Sequence, residues 1–261
     1  MTNYTTLNHN LKRGILKFSE KISKNLSIPH QRFVTQMLFG ILSSNDSKLS
    51  SIGRCLNEKI SLKKVIERLS RNLKTFEDGE ILFKNYLKTV KSVIGDKSLL
   101  VIDGGDITKP CATKMEDISI VRDGSTGEYK NGYYTMGITA LSSERKLPIP
   151  VYTRVYTSEE KNFISEDDEV LKGLKFLSKT FGKGNIRTFD RGFDNNRYYQ
   201  YLLSNKEKFV IRAKKNRDVI YKGKKINILK LANKFKGKYS LKYTKKNGFK
   251  ADCKVSVIPI K

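Results

Sequence analysis

The stretch IRTFDRGFDNNRYYQYLLSNKEKFVIRAKKN, residues 186–216, decides how the rest of the chain is read. A short apolar run ends on Asp190, Arg191 and Gly192 turn the chain, and a helix-like segment follows from about Asn195 to Ser204. A second apolar run, KFVIRA, then leads into Lys and Arg. This is strand, turn, helix, strand, the repeating unit of an α/β sheet. A carboxylate closing a core strand costs free energy unless a cation, a metal or a hydrogen-bond donor meets it. The function turns on what Asp190 meets.

Upstream, SLLVID (98–103) is a continuous apolar run, which suits a strand covered on both faces. GYYTMGITAL (132–141) and LPIPVYTRVYT (147–157) are two further strands joined by the turn SSERK. SEDDEVLKGLKFLSKTF (165–181) is a helix with Ser165 as its cap, acids in its first turn and an apolar stripe of Val170, Leu171, Leu174 and Leu177. The predicted order is β-β-β-α-β-α-β, an α/β layer on a mixed sheet over 93–218.

Residues 1–92 read as helical. PHQRFVTQMLFGIL, SKLSSIGRCLN and SLKKVIERLSRNLKTF carry the helical spacing, with Ser61 the N-cap of the third. Helices joined by SSND fit either a helix-turn-helix, making 1–92 a candidate DNA-binding region, or a plain helical bundle. Residues 219–261 alternate strand-like pieces with Gly and Lys turns. Between Lys206 and Lys250 stand 17 basic residues against two acidic ones, interleaved with Tyr, Phe and Ile. That pattern predicts a folded, basic β-rich surface able to track phosphates, although charge runs are also ordinary solvated faces.

Composition narrows the partners. Fifty-two Lys and Arg against 26 Asp and Glu give a net charge of +26 over 261 residues, which draws polyanions. No apolar run approaches the roughly 18 residues a membrane span needs, and the N-terminal MTNYTTLNHNLKRGIL lacks the core of a secretory signal. Cys55, Cys111 and Cys253 form no paired motif and there are two His, so a zinc site is not expected; the thiols read as reduced, in a cytoplasmic protein.

Asp103 ends the first predicted strand and Asp190 the fourth. Function gathers outside the carboxyl ends of strands in open α/β sheets. On neighbouring parallel strands the two carboxylates would face one crevice, repelling each other unless a hard cation, Mg²⁺ or Mn²⁺, lay between them. Single motifs of this kind are often turn formers. Asp106 and Asp194 read as local, the first shaping a turn and the second capping a helix. The acids Glu166 to Glu169 read as compensation of a helix dipole. GKGN at 182–185 lacks phosphate-loop spacing, and His9 and His30 mark no triad.

VIDGGDITKP (101–110), followed 87 residues after Asp103 by FDRGFD, resembles the catalytic core of insertion-sequence DDE transposases. The resemblance covers about residues 97–215 and implies a ribonuclease H-like fold, with 219–261 as a β-rich insertion. It implies DNA cleavage and strand transfer at two metal ions (Mg²⁺ or Mn²⁺), with Asp103 and Asp190 as ligands and catalytic residues. DNA, as element ends and target, and a second copy of the chain on that DNA are the implied partners. Lys109 and Arg191 read as phosphate contacts or counter-charges. Arg212, Lys214, Lys215, Arg217, Lys222, Lys224 and Lys225 read as holders of the DNA backbone. The family's third acid, a Glu on a helix beyond the insertion in a Tyr, Arg, Glu, Lys pattern, has no match before Lys261; Glu207 and Asp252 lie outside that pattern. The expectation is therefore a transposase truncated before its third carboxylate. The alternatives are a catalytically inactive DNA-binding remnant and a metal-dependent phosphatase or nuclease of another fold, the latter lacking a DxD pair.

Overall fold

The computed structural model describes the backbone of residues 2–144, 146–234, 237–244 and 250–257, and the side chains of 10–144 and 146–231. The chain divides into two compact units, residues 1–92 and 93–261.

The first unit holds five helices, α1 (Thr2–Ile22), α2 (Ile28–Ser44), α3 (Leu49–Leu56), α4 (Leu62–Lys74) and α5 (Gly79–Lys91). Pro29 opens α2, where its missing N–H costs nothing, and the Ser27 hydroxyl accepts from the His30 amide. Asn45 and Asn57 end α2 and α3 in the left-handed conformation. Phe33, Ile52, Val65 and Leu69 bring α2, α3 and α4 onto one core. Helices α2 and α3 meet closely at Gly40, where a β-carbon would lie 2.3 Å from Ile52 Cγ2. Ser61 stands at the head of α4 as expected, but its side chain makes no capping bond. His30 is structural: its Nδ1 lies 2.6 Å from Asp78 Oδ2 and its ring packs on Phe76.

The second unit is a mixed sheet with helices. Strands β1 (Leu99–Thr108), β2 (Ser119–Arg122), β3 (Tyr129–Leu141) and β4 (Pro148–Tyr156) precede α6 (Glu166–Phe181), β5 (Ile186–Phe189), α7 (Asn196–Ser204) and β6 (Lys208–Ile211). Along the sheet the order is β4, β3, β1, β5, β6, with β2 pairing the opening residues of β3. β3 runs antiparallel to both β1 and β4, while β1, β5 and β6 are parallel. The four-residue β2 is an addition to the expected order.

Helix α6 is capped by Ser165, whose hydroxyl accepts from Asp168 N. It buries Val170, Leu174 and Leu177 and reaches the sheet at Gly173, where a β-carbon would lie 2.6 Å from Met136 Cε. The core facing it includes Leu100, Ile102, Ile138 and Phe189. Here one expectation fails. The run SLLVID is not covered on both faces, because Leu99 and Val101 are 39% and 37% exposed while Leu100 and Ile102 are buried. The strand alternates, and Asp103 falls on its open face.

The basic C-terminal segment folds as β7 (Asp218–Tyr221), β8 (Lys224–Asn227), α8 (Ile228–Lys234), β9 (Gly237–Thr244) and β10 (Lys250–Val257). The four strands form an antiparallel sheet in the order β10, β9, β7, β8. Lys222 and Gly223 both take positive φ, which matches the two-residue β7–β8 hairpin to the strand twist. Val219 and Leu231 anchor this part. The side chains of Asp252 and Cys253 lie outside the described residues.

Candidate functional site

β1 and β5 are parallel neighbours in register, Ile102 opposite Phe189. β5 and β6 continue the register, Phe189 opposite Ile211. The residue after each of these positions is Asp103, Asp190 and Arg212. Adjacent strands stand about 4.8 Å apart, so two carboxylates and a guanidinium-bearing residue occupy one row where the parallel pairing of the three strands stops. Asp190 and Arg212 follow the last residues of β5 and β6, but Asp103 does not end its strand as expected, because β1 stays paired with β3 as far as Thr108. The Arg212 amide donates to the Phe189 carbonyl at 3.3 Å, which keeps the row together past the end of β6.

Asp103 and Asp190 line one cleft of about 340 Å³ with Thr135, Tyr156, Glu166, Asp167, Asn195 and Tyr198. Both Asp residues are exposed. Asp190 Oδ1 accepts the Gly192 amide at 2.8 Å and so starts the single 3₁₀ turn Arg191–Phe193. The turn-forming reading and the site reading hold for the same side chain, since one oxygen is left for another partner. No donor or cation meets the Asp103 carboxylate among the described residues.

The acids that are buried in this unit are others, and each has a cation: Asp123 has Lys130 and the other three have an arginine. Glu169 pairs with Arg154 and Lys172, Glu207 with Arg187, and Asp194 with Arg217. Asp194 therefore does not cap α7; Asn195 does, accepting from Arg197 N. Glu207, buried against Arg187 and Ser178, is committed away from the cleft. Asp106 lies within β1 and accepts from Gly124 N at 2.9 Å, fixing the turn between β2 and β3.

The run Glu166 to Glu169 does more than balance a helix dipole. Asp168 pairs with Arg197, and Asp167 accepts from Asn195 Nδ2 at 2.9 Å and from the Tyr198 hydroxyl. Glu166 lines the cleft from the first turn of α6. Two further carboxylates thus reach the cleft, which sequence spacing did not show because α6 enters it from across the sheet. Among the described residues, no three His, Cys, Asp or Glu side chains converge closely enough to hold a metal ion. The Asp103–Asp190 pair suits a hard divalent cation in the type of its donors, two anionic oxygens at an open edge.

The cleft's tyrosines register its character. Burial, then the charges of Glu166 and Glu169 and the neighbouring Tyr134, push the Tyr156 hydroxyl up to about 12. Burial and the bond to Asp167 raise Tyr198 further. A folded-state value above the unfolded one near 10 means that this stability is complete below pH 10 and is lost as the pH rises through the folded value. Tyrosinate absorbance during an alkaline titration should show Tyr156 ionising near pH 12, and the Tyr156→Phe protein should lack that step. A Tyr156 that titrates near pH 10 would mean that the wall of the cleft is open to water.

The predicted backbone-holding residues separate into two groups. Lys109, Arg191, Arg212, Lys214, Lys215, Lys222, Lys224 and Lys225 are all exposed, with Lys225 paired to Asp218 at 3.0 Å. Arg217 is a correction: it turns inward onto Asp194 and over the Tyr199 ring, because a buried carboxylate needs a cation more than the surface does. Cys55 and Cys111 are free thiols.

No helix among the described residues is long and apolar enough to cross a membrane. No family model matches the sequence, and no curated protein matches it. Among solved structures the chain is similar to the piggyBac transposase of a cryo-EM synaptic complex with hairpin DNA, at 12% identity and a TM-score of 0.38. The likeness covers 92% of this chain and 51% of that one, so the chain spans about half the transposase's length. Likeness of that degree assigns neither a family nor an activity.

Proposed function

We propose that the chain acts on DNA as a metal-dependent strand-cleaving and strand-transferring enzyme of the DDE transposase kind, on a ribonuclease H-like core. The observation that carries this reading is the row Asp103, Asp190, Arg212, set side by side where the parallel pairing of β1, β5 and β6 stops. Asp103 and Asp190 are the residues that would hold Mg²⁺ or Mn²⁺. Bound there, the ion would supply an activated water or hydroxyl and neutralise charge on a phosphate. Glu166 and Asp167 add negative charge to the same cleft, so a phosphate backbone approaches only when a cation offsets them. Arg212 brings a donor fork suited to a phosphate beside Asp190. Lys214 and Lys215 hold the backbone further out without choosing sequence.

The test is nicking of supercoiled plasmid DNA by the full chain in Mn²⁺, in Mg²⁺ and in chelator. Metal-dependent nicking is expected. DNA binding without nicking in either metal would leave a DNA-binding protein, and no salt-sensitive DNA binding at all would remove the reading entirely.

A second measurement addresses the basic surface. Each phosphate contact contributes about 0.9 to the slope of log affinity against log salt. In the Lys214→Ala/Lys215→Ala protein the slope should fall by about 2, with affinity reduced alike for unrelated duplexes. An unchanged slope would make these lysines ordinary solvated surface.

A further inference from the structure

Asp194 and Arg217 lie in different parts of the second unit and meet in its interior. The Asp194 side chain is fully buried and that of Arg217 is 13% exposed. Arg217 Nε contacts Asp194 Oδ1 as an ion pair rather than as an aligned hydrogen bond. Its Nη2 donates to the Asp194 carbonyl and its Nη1 to Asn196 Oδ1, each at 3.0 Å, and the guanidinium lies 5.0 Å from the centre of the Tyr199 ring. The other Asp194 oxygen accepts the Lys214 amide at 2.6 Å. The Arg217 amide closes a turn onto the Lys214 carbonyl at 3.0 Å, and the Arg217 carbonyl accepts from Ile228 N at 2.8 Å.

Three segments therefore converge on one charge pair: the turn that begins at Asp190, the exposed Lys214–Lys215 segment, and the start of α8. Burying an ion pair is a poor way to gain stability, because apolar side chains of the same volume do as well or better. An apolar pair, however, has no acceptor for the Lys214 amide and no fork of directed donors. What this pair adds is position.

We infer that Asp194 and Arg217 form a latch that fixes the Lys214–Lys215 segment beside Asp190, making Arg217 a positioning residue for the DNA backbone and not a phosphate contact. The inference rests on the DNA-acting reading above. Two lysines on a loop already ordered lose less conformational entropy when they engage phosphates than two on a free loop. Releasing the latch should cost their contacts even though both side chains remain.

The experiment compares four full-length proteins: wild type, Arg217→Lys, Lys214→Ala/Lys215→Ala, and the triple variant. A mixed-sequence duplex is the probe, and amide hydrogen exchange at Lys214 is a readout independent of DNA. A lysine cannot reproduce the fork, so in Arg217→Lys the Lys214 amide should lose protection while the strands of the main sheet keep theirs. The salt slope should fall by about 2, as in the double lysine variant, and the triple variant should fall no further. Should Arg217→Lys fail to fold, Asp194→Asn is read by the same exchange measurement. Slopes that add across the variants, or a slope unchanged in Arg217→Lys, would overturn the latch. So would a Lys214 amide that stays protected without it. If wild type itself binds no DNA, the DNA-acting reading fails, while Lys214 exchange still reports whether the latch exists.

Discussion

Asp103→Asn and Asp190→Asn should each abolish metal-dependent DNA nicking, by on the order of 10³-fold or more, while leaving the protein folded and able to bind DNA. Losses of that size are typical when one member of a catalytic set is removed. The substitutions are structurally mild for different reasons. Asp103 has no partner among the described residues to lose. Asp190 accepts the Gly192 amide, and an asparagine oxygen at the same position can accept it as well. DNA affinity should hold or rise slightly, because each change removes a negative charge facing the phosphates. Glu166→Gln tests the cleft from its other wall, in the same nicking assay. A large loss there would place a third carboxylate in the reaction; wild-type activity would confine the chemistry to the Asp pair. Full activity in both Asp variants would show that the row at the sheet edge is a fold feature and no active site.

The largest effect on stability should come from Arg187 and Glu207. Both side chains are 1% exposed and their charged atoms lie 2.6 Å apart. Arg187 also donates to the carbonyls of Asn185 and Gly182, and Ser178 donates to Glu207. Breaking a buried pair by removing one partner costs about 3–5 kcal/mol, since the remaining charge is left without compensation. Arg187→Met and Glu207→Gln should both destabilise on that scale in chemical denaturation. Their pH dependence should differ. In Arg187→Met the stranded carboxyl can take up a proton, so mild acid should relieve part of the loss. In Glu207→Gln the guanidinium cannot neutralise itself, so the loss should persist across that range. Replacing both with apolar residues should recover much of the stability of either single change. Single changes that cost under about 1 kcal/mol, as for an exposed pair, would show that water reaches the site.

Much of this architecture is legible in local sequence. Helices α2, α3 and α4 announce themselves by spacing, and α6 by its Ser165 cap and its apolar stripe. The strands at Asp103 and Asp190 show as short apolar runs before an acid, although β1 continues beyond Asp103 to Thr108. Within the helical region the spacing singles out neither α1 nor α5, and β2, with Ile120 and Val121 its apolar residues, shows no run between its flanking turns. An apolar run of five also reads alike whether one face or both are covered, which is why Val101 was expected in the core and stands exposed.

Local residue patterns set the helical region, the α/β order and the acid that follows β5, because those depend on neighbours a few residues apart; that β1 runs past Asp103 to Thr108 follows from its pairing with β3. Which charges are free is settled by packing between distant segments. Arg217 looked like another basic surface residue, yet it faces buried Asp194 across 23 residues of chain. Glu207 looked like a spare acid, and Arg187 holds it in the core. Glu166 looked like a dipole partner, and the crossing from β4 into α6 sets it in the cleft with Asp103 and Asp190. A charge acts according to what lies within a few ångströms of it. That distance is set by packing between segments far apart in the chain, on which local residue patterns carry no information.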